Sequence, residues 1–396
     1  METLDLLSTY QIDDQITPET STEYLPSLCL VAEQVLNQYV AYRLIDLFQN
    51  EGFWQQSGDA ISVFELKQRL GMSPAHDRLT AALIDILARY GFIEPQGSRW
   101  VATALTDDPD IQQTIALFRE SEGRVLARKA ATWAFIAATI RLVNTCLNGL
   151  MDVLAGRRTY MEVMFPEGDM SLVSDIYKGT IQQELNQYVA RTVRQWVEER
   201  LRRHPSATVQ ILEVGAGTGG TTAPILEELA PLGEHVTYWY TDIAAGFTRL
   251  GNRLFGAKYP FTRFKTLDVT RRTSLQGWAD ESIDLIICNN VLHATPNLWQ
   301  SVLHLTPLLT TGGAMLVNDL TKRLDFNTVT FGLTPDWWNA NDPADRIRHS
   351  PVLSAPQWKE LFEQAGYTNV RTRGVPGIIP QESPQSVILA TLNLRF

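Results

Sequence analysis

Apolar residues follow two different spacings along the chain. Over 28–49 they recur at steps of three to five residues, among them Val31, Val35 and Tyr39, which predicts an amphipathic helix that faces a core. Helical patterns of this kind continue to about Arg203. Beyond that residue, short β-branched runs alternate with helical segments instead. The spacing therefore predicts a helical N-terminal part followed by an α/β part.

A small module of helices and a hairpin is predicted over 62–104. Ser62 and Glu65 have the spacing of a capping box, in which each side chain satisfies the backbone N–H of the other residue. The elements predicted there are a helix over 63–70 ended by Gly71, a helix over 75–90 and a hairpin around Gln96 and Gly97. This order is typical of a winged helix. Because the module carries a net charge of only +1 from Ser62 to Trp100, a packing or protein-contact role is favoured over DNA binding.

The composition is that of a soluble globular chain. Its 396 residues predict two or three compact units, and 44% hydrophobic with 20% charged residues argue against disorder. The net charge of −10 makes nucleic acid a poor partner, because phosphate backbones are bound by clustered Lys and Arg. The most apolar stretch, 130–140, is shorter than the roughly 18 residues of a membrane span and predicts a buried helix.

The cysteines and the N-terminus favour a reducing compartment. Cys29, Cys146 and Cys288 are odd in number and lack CxxC spacing, so neither a disulfide framework nor a thiolate metal site is predicted. The first residues show no basic segment followed by an apolar core, so no secretory signal is predicted. We expect a cytoplasmic protein without a metal site and without a membrane partner.

The first predicted strand of the α/β part leads into a glycine-rich turn. The run VQILEV passes into GAGTGGTTAPILEEL, which predicts the strand, turn and helix of a Rossmann-like domain. Gly215, Gly217 and Gly219 let the backbone approach a ligand closely, and the helix N-terminus offers N–H donors. Gly220 also completes the spacing GxGxxG, so a dinucleotide is compatible with the glycines alone.

Acidic residues lie at the C-terminal ends of three predicted strands. Glu213 precedes the glycine turn, where a carboxylate repels a pyrophosphate but attracts the sulfonium and amino groups of S-adenosylmethionine. Asp242 ends the second predicted strand and is placed to bind the ribose hydroxyls, and Asp268 ends the third and is placed to accept from the adenine amino group. Each aspartate alone could equally be a helix N-cap. Together at one sheet edge, the three carboxylates predict S-adenosylmethionine as the cofactor.

A histidine and an aspartate follow the next two predicted strands. His293 lies just past the fourth strand, IDLIICNN, and Asp319 ends the fifth, AMLVND. Lone histidines are usually structural, but these strands are neighbours in the usual order of this fold, so the two side chains can touch. A carboxylate there would fix the imidazole tautomer and stabilise its protonated form. We therefore predict His293 as a general base with Asp319 as its partner.

Five segments resemble a known family in their order and spacing. ILEVGAGTGGTT, YTDI, NNVLHAT, the strand ending in NDLT, and TFGLTPDWW resemble the methyltransferase domains of modular polyketide synthases, most strongly from Val209 to Trp338. The helical part resembles the lid that precedes those cores. The polar composition of the first residues predicts an arm over 1–24. The resemblance implies a helical lid over 25–205 and a class I methyltransferase core with a seven-stranded sheet over 206–396.

The resemblance also implies roles for individual residues. His293 takes the place of the base in a histidine–carboxylate dyad, and Asp319 stands where the family typically has glutamate, which is longer by one methylene. Further residues are expected to bind the cofactor (Ile243, Val269, Asn289 and Asn290) or the substrate (Tyr177, Trp337 and Trp338). For the three aromatic residues, core packing or capping is the competing interpretation.

The implied reaction transfers a methyl group from S-adenosylmethionine to an intermediate tethered to an acyl carrier protein by a phosphopantetheine arm, among neighbouring polyketide synthase domains. His293 would remove the α-proton of a β-ketoacyl thioester for C-methylation, or the proton of a β-hydroxyl for O-methylation. Two rival interpretations are a winged-helix regulator that senses a ligand and a donor-binding domain without catalysis. The combination of three carboxylates with His293 favours the enzyme.

Overall fold

The computed structural model describes residues 21–122, 134–178, 180–375 and 377–392, without the side chains of 21–29, 31, 134, 135, 177, 178, 180 and 181. Contacts group the chain into a helical unit, Met1–Thr180 with Leu324–Trp338, and a sheet unit, Ile181–Arg323 with Asn339–Phe396. This grouping places the segment 324–338 with the helices. The division into arm, lid and core at residues 24 and 205 stays a prediction.

The helical unit combines helices of different length with a small antiparallel sheet. Its helices are α1 (Ser21–Asn50), α2 (Val63–Leu70), α3 (Asp77–Arg89), α4 (Pro109–Ser121), α5 (Ala134–Leu154), α6 (Tyr160–Met164), α7 (Ser171–Ser174) and a short helix over Asp325–Val329. Its 3-10 turns are Pro74–His76, Pro166–Gly168, Asp175–Lys178, Phe331–Leu333 and Pro335–Trp338. Its strands β1 (Ala60–Ser62), β2 (Ile93–Gln96) and β3 (Arg99–Ala102) pair in the order β1-β3-β2.

The predicted capping box begins α2. Ser62 Oγ accepts from the Glu65 N–H at 3.2 Å, and Glu65 Oε2 accepts from the Ser62 N–H at 2.9 Å. Gly71 ends the helix with φ +62°, a conformation that favours glycine because it has no Cβ. The predicted helix over 63–70 and the hairpin around Gly97 are therefore confirmed, and the likeness to a winged helix stays a prediction.

The segment 324–338 is held in the helical unit by an ion pair between a buried aspartate and a partly exposed arginine. Asp325, whose side chain is 3% exposed, contacts the Arg89 guanidinium at 2.5 Å, and its backbone N–H donates to Asn37 Oδ1 at 2.8 Å. A buried carboxylate needs such partners, because its removal from water is otherwise costly. Val329 and Leu333 then complete the apolar core formed largely by α1, α3 and α5.

The sheet unit alternates strands with helices. Its strands are β4 (Val209–Val214), β5 (Val236–Asp242), β6 (Thr262–Thr266), β7 (Ile283–Asn289), β8 (Leu309–Leu320), β9 (Thr368–Gly374) and β10 (Gln385–Thr391). Its helices are α8 (Thr180–Arg203), α9 (Thr222–Leu229), α10 (Ala245–Phe255), α11 (Leu298–Leu305) and α12 (Ala355–Gln364). Its 3-10 turns are Ala230–His235, Thr273–Gln276, Leu292–Ala294, Thr306–Leu308 and Pro343–Asp345.

The seven strands form one sheet in the order β6-β5-β4-β7-β8-β10-β9. The strands β4 to β8 are parallel, while β10 runs antiparallel to β8 and β9 antiparallel to β10. Apolar side chains cover both faces, so β4 and β7 are almost continuously apolar and buried, as expected of parallel strands. The predicted seven-stranded α/β core is confirmed. We call the side where β4 to β8 end the carboxyl edge.

Within the ranges that the structure describes, no helix is both long and apolar enough to cross a membrane. The stretch predicted as a buried helix falls partly outside those ranges. Its described part lies in α5, where Ile136 and Ile140 are buried.

Candidate active site

The glycine-rich turn follows β4 with three glycines in the left-handed region. φ is +64° at Gly215, +56° at Gly217 and +84° at Gly219, and a residue with a Cβ would pay about 1–2 kcal/mol for such a conformation. The Gly217 N–H donates to Asp242 Oδ2 at 3.0 Å, and its carbonyl accepts from the Tyr240 hydroxyl at 2.6 Å. Side chains of β5 therefore hold the backbone of this turn in place.

Two of these glycines also lie where a methyl group has no room. A Cβ on Gly215 would lie 2.2 Å from Val291 Cγ2, and one on Gly219 would lie 2.6 Å from Phe255 Cε2. The position of a Cβ on Gly220 is open, with no heavy atom of the described chain within 4 Å. The third glycine of a dinucleotide fingerprint is required by close helix–strand packing, and Gly220 is under no such constraint. The turn therefore lacks the steric reason for a dinucleotide fingerprint.

Asp242 is buried beside this turn. Besides its bond from Gly217, it accepts from the Ala244 N–H through Oδ1 at 2.9 Å. The helix α10 begins at Ala245 and its N-cap is Ala244, so Asp242 is not the N-cap of this helix. A carboxylate has about four acceptor positions, so both oxygens can still accept from hydroxyl groups. Its predicted contact with the ribose stays a prediction.

Glu213 lies beneath the glycine turn with 1% of its surface exposed. Its Oε2 accepts from the Thr222 hydroxyl at 2.7 Å and from the Tyr238 hydroxyl at 2.8 Å. These bonds fasten the end of β4 to the first turn of α9 and to β5. Burial raises the pKa of Glu213 to about 7, because it disfavours the charged carboxylate. The hydrogen bonds from the two hydroxyl groups lower this pKa, but their effect is smaller. A direct contact with the donor stays a prediction, and the observed bonds give this carboxylate a part in holding the turn.

The raised pKa of Glu213 predicts a pH-dependent stability. Without ligand, the folded protein keeps this proton up to about pH 7, while the unfolded chain loses it near pH 4.5. The free energy of unfolding should therefore fall by about 3 kcal/mol as the pH rises through this window. Glu213→Gln cannot titrate, so this part of the fall should disappear in urea unfolding at pH 5 and pH 8. Glu227→Gln, an exposed change on α9, is the control, and equal slopes for Glu213→Gln and wild type would contradict the assignment.

Asp268 lies two residues beyond β6, so the prediction that this strand ends at Asp268 is wrong. Its Oδ1 accepts from the N–H and the hydroxyl of Thr270, at 2.9 Å and 2.6 Å, because the chain turns here. Nearby at the carboxyl edge, Ile243 is 67% exposed and Val269 is buried. An exposed apolar side chain such as that of Ile243 suits contact with an apolar part of a ligand. The predicted cofactor contacts of these three residues stay predictions.

A chain of hydrogen-bonded side-chain amides and one hydroxyl crosses the carboxyl edge. Gln385 donates to Asn318 at 3.0 Å, Asn318 donates to Asn289 at 2.5 Å, and Asn289 donates to the Thr221 hydroxyl. The Thr221 hydroxyl donates in turn to Asn186 at 3.1 Å. Every bond runs in the same direction, which joins the strand carrying Asp319 to the start of α9. The side-chain amide of Asn289 is thus hydrogen-bonded to other residues of the protein through both its oxygen and its nitrogen. Its predicted contact with the cofactor stays a prediction.

Asn290 differs from its neighbour. Its φ is +51°, in the left-handed region, and its N–H donates to the Asn318 carbonyl at 2.8 Å. Its buried Oδ1 has no hydrogen-bond donor among the described residues. Since buried acceptors are normally satisfied, this oxygen suits a ligand that carries N–H groups. The amino group of S-adenosylmethionine is such a donor.

His293 and Asp319 meet at the ends of β7 and β8. Those strands pair in parallel with Asn289 opposite Asn318, and His293 Nδ1 lies 2.5 Å from Asp319 Oδ1. The side chain of Asp319 is fully buried and that of His293 is 11% exposed. Asp319 Oδ1 also accepts from the Leu320 N–H at 2.8 Å, which fixes the carboxylate. The shorter aspartate therefore reaches the imidazole.

The predicted substrate residues lie in the helical unit. Trp337 stacks on Phe331 with ring centroids 6.2 Å apart, and Trp338 Nε1 donates to the Gly332 carbonyl at 2.6 Å. Trp338 also packs against the apolar core of that unit. The side chain of Tyr177 lies outside the described residues. The predicted part of all three in a substrate pocket stays a prediction.

Comparison with known proteins shows similarity to methyltransferase domains and polyketide synthases. Residues 212–315 match the family model of a methyltransferase domain. The polyketide synthase ThaG of Burkholderia thailandensis is 34% identical over 338 residues, which are 85% of this chain and 6% of that protein. The chain thus spans a small fraction of the curated relatives it matches.

Two solved structures are similar over nearly their whole length. The DszA carbon methyltransferase is 32% identical, with a TM-score of 0.83 and coverage of 95% of this chain and 94% of that one. The CurJ carbon methyltransferase is 29% identical, with a TM-score of 0.73 and coverage of 95% and 99%. The methyl donor is therefore S-adenosylmethionine, whose amino group suits the unsatisfied oxygen of Asn290. The chain belongs to the class I S-adenosylmethionine-dependent methyltransferase domains of polyketide synthases.

Proposed function

We propose that this protein methylates the α-carbon of a β-ketoacyl intermediate tethered to an acyl carrier protein, with His293 as the general base. The observation that carries the proposal is the 2.5 Å contact between His293 Nδ1 and Asp319 Oδ1 at the carboxyl edge. The similarity to two carbon methyltransferases favours carbon as the methylated atom.

The dyad supplies what the substrate needs. When bound, S-adenosylmethionine provides an activated methyl group, so the protein's task is to position the partners and create a nucleophile. Asp319 accepts from Nδ1 and thereby keeps the imidazole proton on that atom, which leaves the Nε2 lone pair to take the α-proton. That proton lies between a ketone and a thioester, so its removal gives an enolate whose α-carbon can attack the methyl group. Asp319 then stabilises the imidazolium that results.

The partner is proposed from the relatives. The first curated relatives are polyketide synthases, of which this chain spans between 6% and 11%. We infer that the chain acts beside other domains of such an assembly and receives its substrate on a phosphopantetheine arm. O-methylation of a β-hydroxyacyl intermediate needs the same base and is the second candidate.

Mass spectrometry of carrier-bound substrates tests the proposal. Acetoacetyl and 3-hydroxybutyryl groups are loaded on a phosphopantetheinylated acyl carrier protein and incubated with enzyme and S-adenosylmethionine. We expect methyl gain on the acetoacetyl group alone, with fragmentation placing it on the α-carbon. Methyl gain on the hydroxyl oxygen instead would overturn C-methylation, and methyl gain on neither carrier-bound group would overturn the proposed substrate class.

A further inference from the structure

A buried arginine, Arg346, donates hydrogen bonds to the backbone of the turn that carries His293. Arg346 follows the 3-10 turn Pro343–Asp345 in the sheet unit and is 4% exposed. A guanidinium in such a place needs acceptors, because leaving water costs it several kcal/mol. The acceptors that its guanidinium binds therefore indicate the role of Arg346.

Two of those partners belong to the catalytic turn. Arg346 Nη1 donates to the His293 carbonyl at 2.6 Å, and Nη2 donates to the Thr295 carbonyl at 2.7 Å. Nη1 also donates to the Pro351 carbonyl at 2.8 Å, and Nε donates to Asp342 Oδ1 at 2.6 Å. All three guanidinium nitrogens are thus engaged, two of them by the backbone on which the imidazole is mounted.

The turn has hydrogen bonds of its own, from the Ala294 N–H to the Val291 carbonyl at 3.0 Å and from the Thr295 N–H to the Leu292 carbonyl at 3.1 Å, and these leave the carbonyls of His293 and Thr295 to Arg346. This segment is a single 3-10 turn over Leu292–Ala294, and the carbonyls of His293 and Thr295 lie where no helix continues to bond them. Asp342 extends the brace, since its Oδ2 accepts from the Leu298 N–H at the start of α11 at 2.8 Å. The ring of His293 is fixed by Asp319, and its backbone is fixed by Arg346.

We propose that Arg346 is a positioning residue for methyl transfer, holding the backbone of His293 so that its imidazole stays at the distance at which it can take the proton. The proposal rests on His293 being the base. Lysine at 346 would keep the charge but lose the planar fork that reaches two carbonyls at once. A misplacement of about 1 Å can lower a rate by about 100-fold.

A double-mutant cycle tests this role. Turnover of the acetoacetyl carrier protein and affinity for S-adenosylhomocysteine are measured for wild type, Arg346→Lys, His293→Ala and the double variant. We expect Arg346→Lys to lower turnover by about 10- to 100-fold and to change the affinity by less than about 3-fold. In the His293→Ala background, the same change should lower the residual rate by less than about 3-fold.

The control is Arg200→Lys. Arg200 contacts Asp284 at 2.9 Å near the amino end of β7, whereas His293 follows the carboxyl end of that strand. Its replacement therefore tests the loss of a partly buried guanidinium away from the site. Turnover should then stay within about 3-fold of wild type. An equal effect of Arg346→Lys with and without His293, or no effect at all, would overturn the positioning role. An active His293→Ala variant would instead overturn the base.

Discussion

Replacing His293 with alanine should lower turnover by about 10²- to 10⁴-fold, the usual contribution of a general base. The reason is that the imidazole assigned to take the proton would be lost, and the buried Asp319 would lose the partner that now lies 2.5 Å away. Affinity for S-adenosylhomocysteine should change by less than about 3-fold. The measurements are single-turnover mass spectrometry of the carrier-bound acetoacetyl group and calorimetric titration of the nucleoside.

The matched control is His235→Ala. His235 is exposed and directly precedes the amino end of β5, whereas the dyad lies at the carboxyl ends of β7 and β8. Its loss should therefore leave both turnover and affinity unchanged. Turnover of His293→Ala within tenfold of wild type would exclude His293 as the base. A loss of affinity as large as the loss of turnover would mean that the histidine binds the donor.

Gly215→Ala should remove most donor binding. The added Cβ would occupy a left-handed conformation, which costs about 1–2 kcal/mol, and would lie 2.2 Å from Val291 Cγ2. Overpacking of this kind typically costs about 1–3 kcal/mol more. Val291 lies two residues before His293, so its displacement reaches the catalytic turn as well. If the strain falls on the donor-binding conformation, the affinity should drop by about 30-fold or more.

Two neighbouring glycines separate the two causes. Gly217→Ala brings the strain of φ +56° without a contact closer than 4.0 Å, and Gly220→Ala brings neither strain nor contact. Thermal stability and affinity for S-adenosylhomocysteine should therefore fall most for 215, less for 217, and stability should be unchanged for 220. Equal stability of the 215 and 220 variants would contradict the packing argument.

Local signals predicted much of the architecture. The capping box at Ser62 and Glu65 acts within four residues, and the apolar runs of the parallel strands reflect burial on both faces, so both could be recognised directly. The sequence predicts the end of β6 two residues too late, because the residue types at 267–269 do not mark the turn in which Asp268 accepts from the Thr270 N–H. The order of neighbouring strands then brought His293 and Asp319 together as expected.

Other parts of the site carry no local signal. Arg346 bonds a carbonyl 53 positions earlier in the chain, and a backbone carbonyl leaves no trace in residue type. Asn318 and Gln385 likewise join Asn289 only because β7, β8 and β10 are neighbours in the sheet. Only the folded arrangement shows that Asn289 is committed to protein partners while the Oδ1 atom of Asn290 is not.

The sequence by itself determined the α/β class, the glycine turn, the acidic residues at or near the strand ends and the histidine–aspartate pair, because each depends on periodicity or on the end of one strand. The tertiary structure decided which of these side chains stabilise the glycine turn, as Glu213 does through its bonds from Thr222 and Tyr238. It likewise decided which polar atoms have no hydrogen-bond partner among the described residues, such as Asn290 Oδ1. It also decided what holds His293 from behind. Those answers depend on distances between residues far apart in the chain, which are set by the packing of the whole sheet.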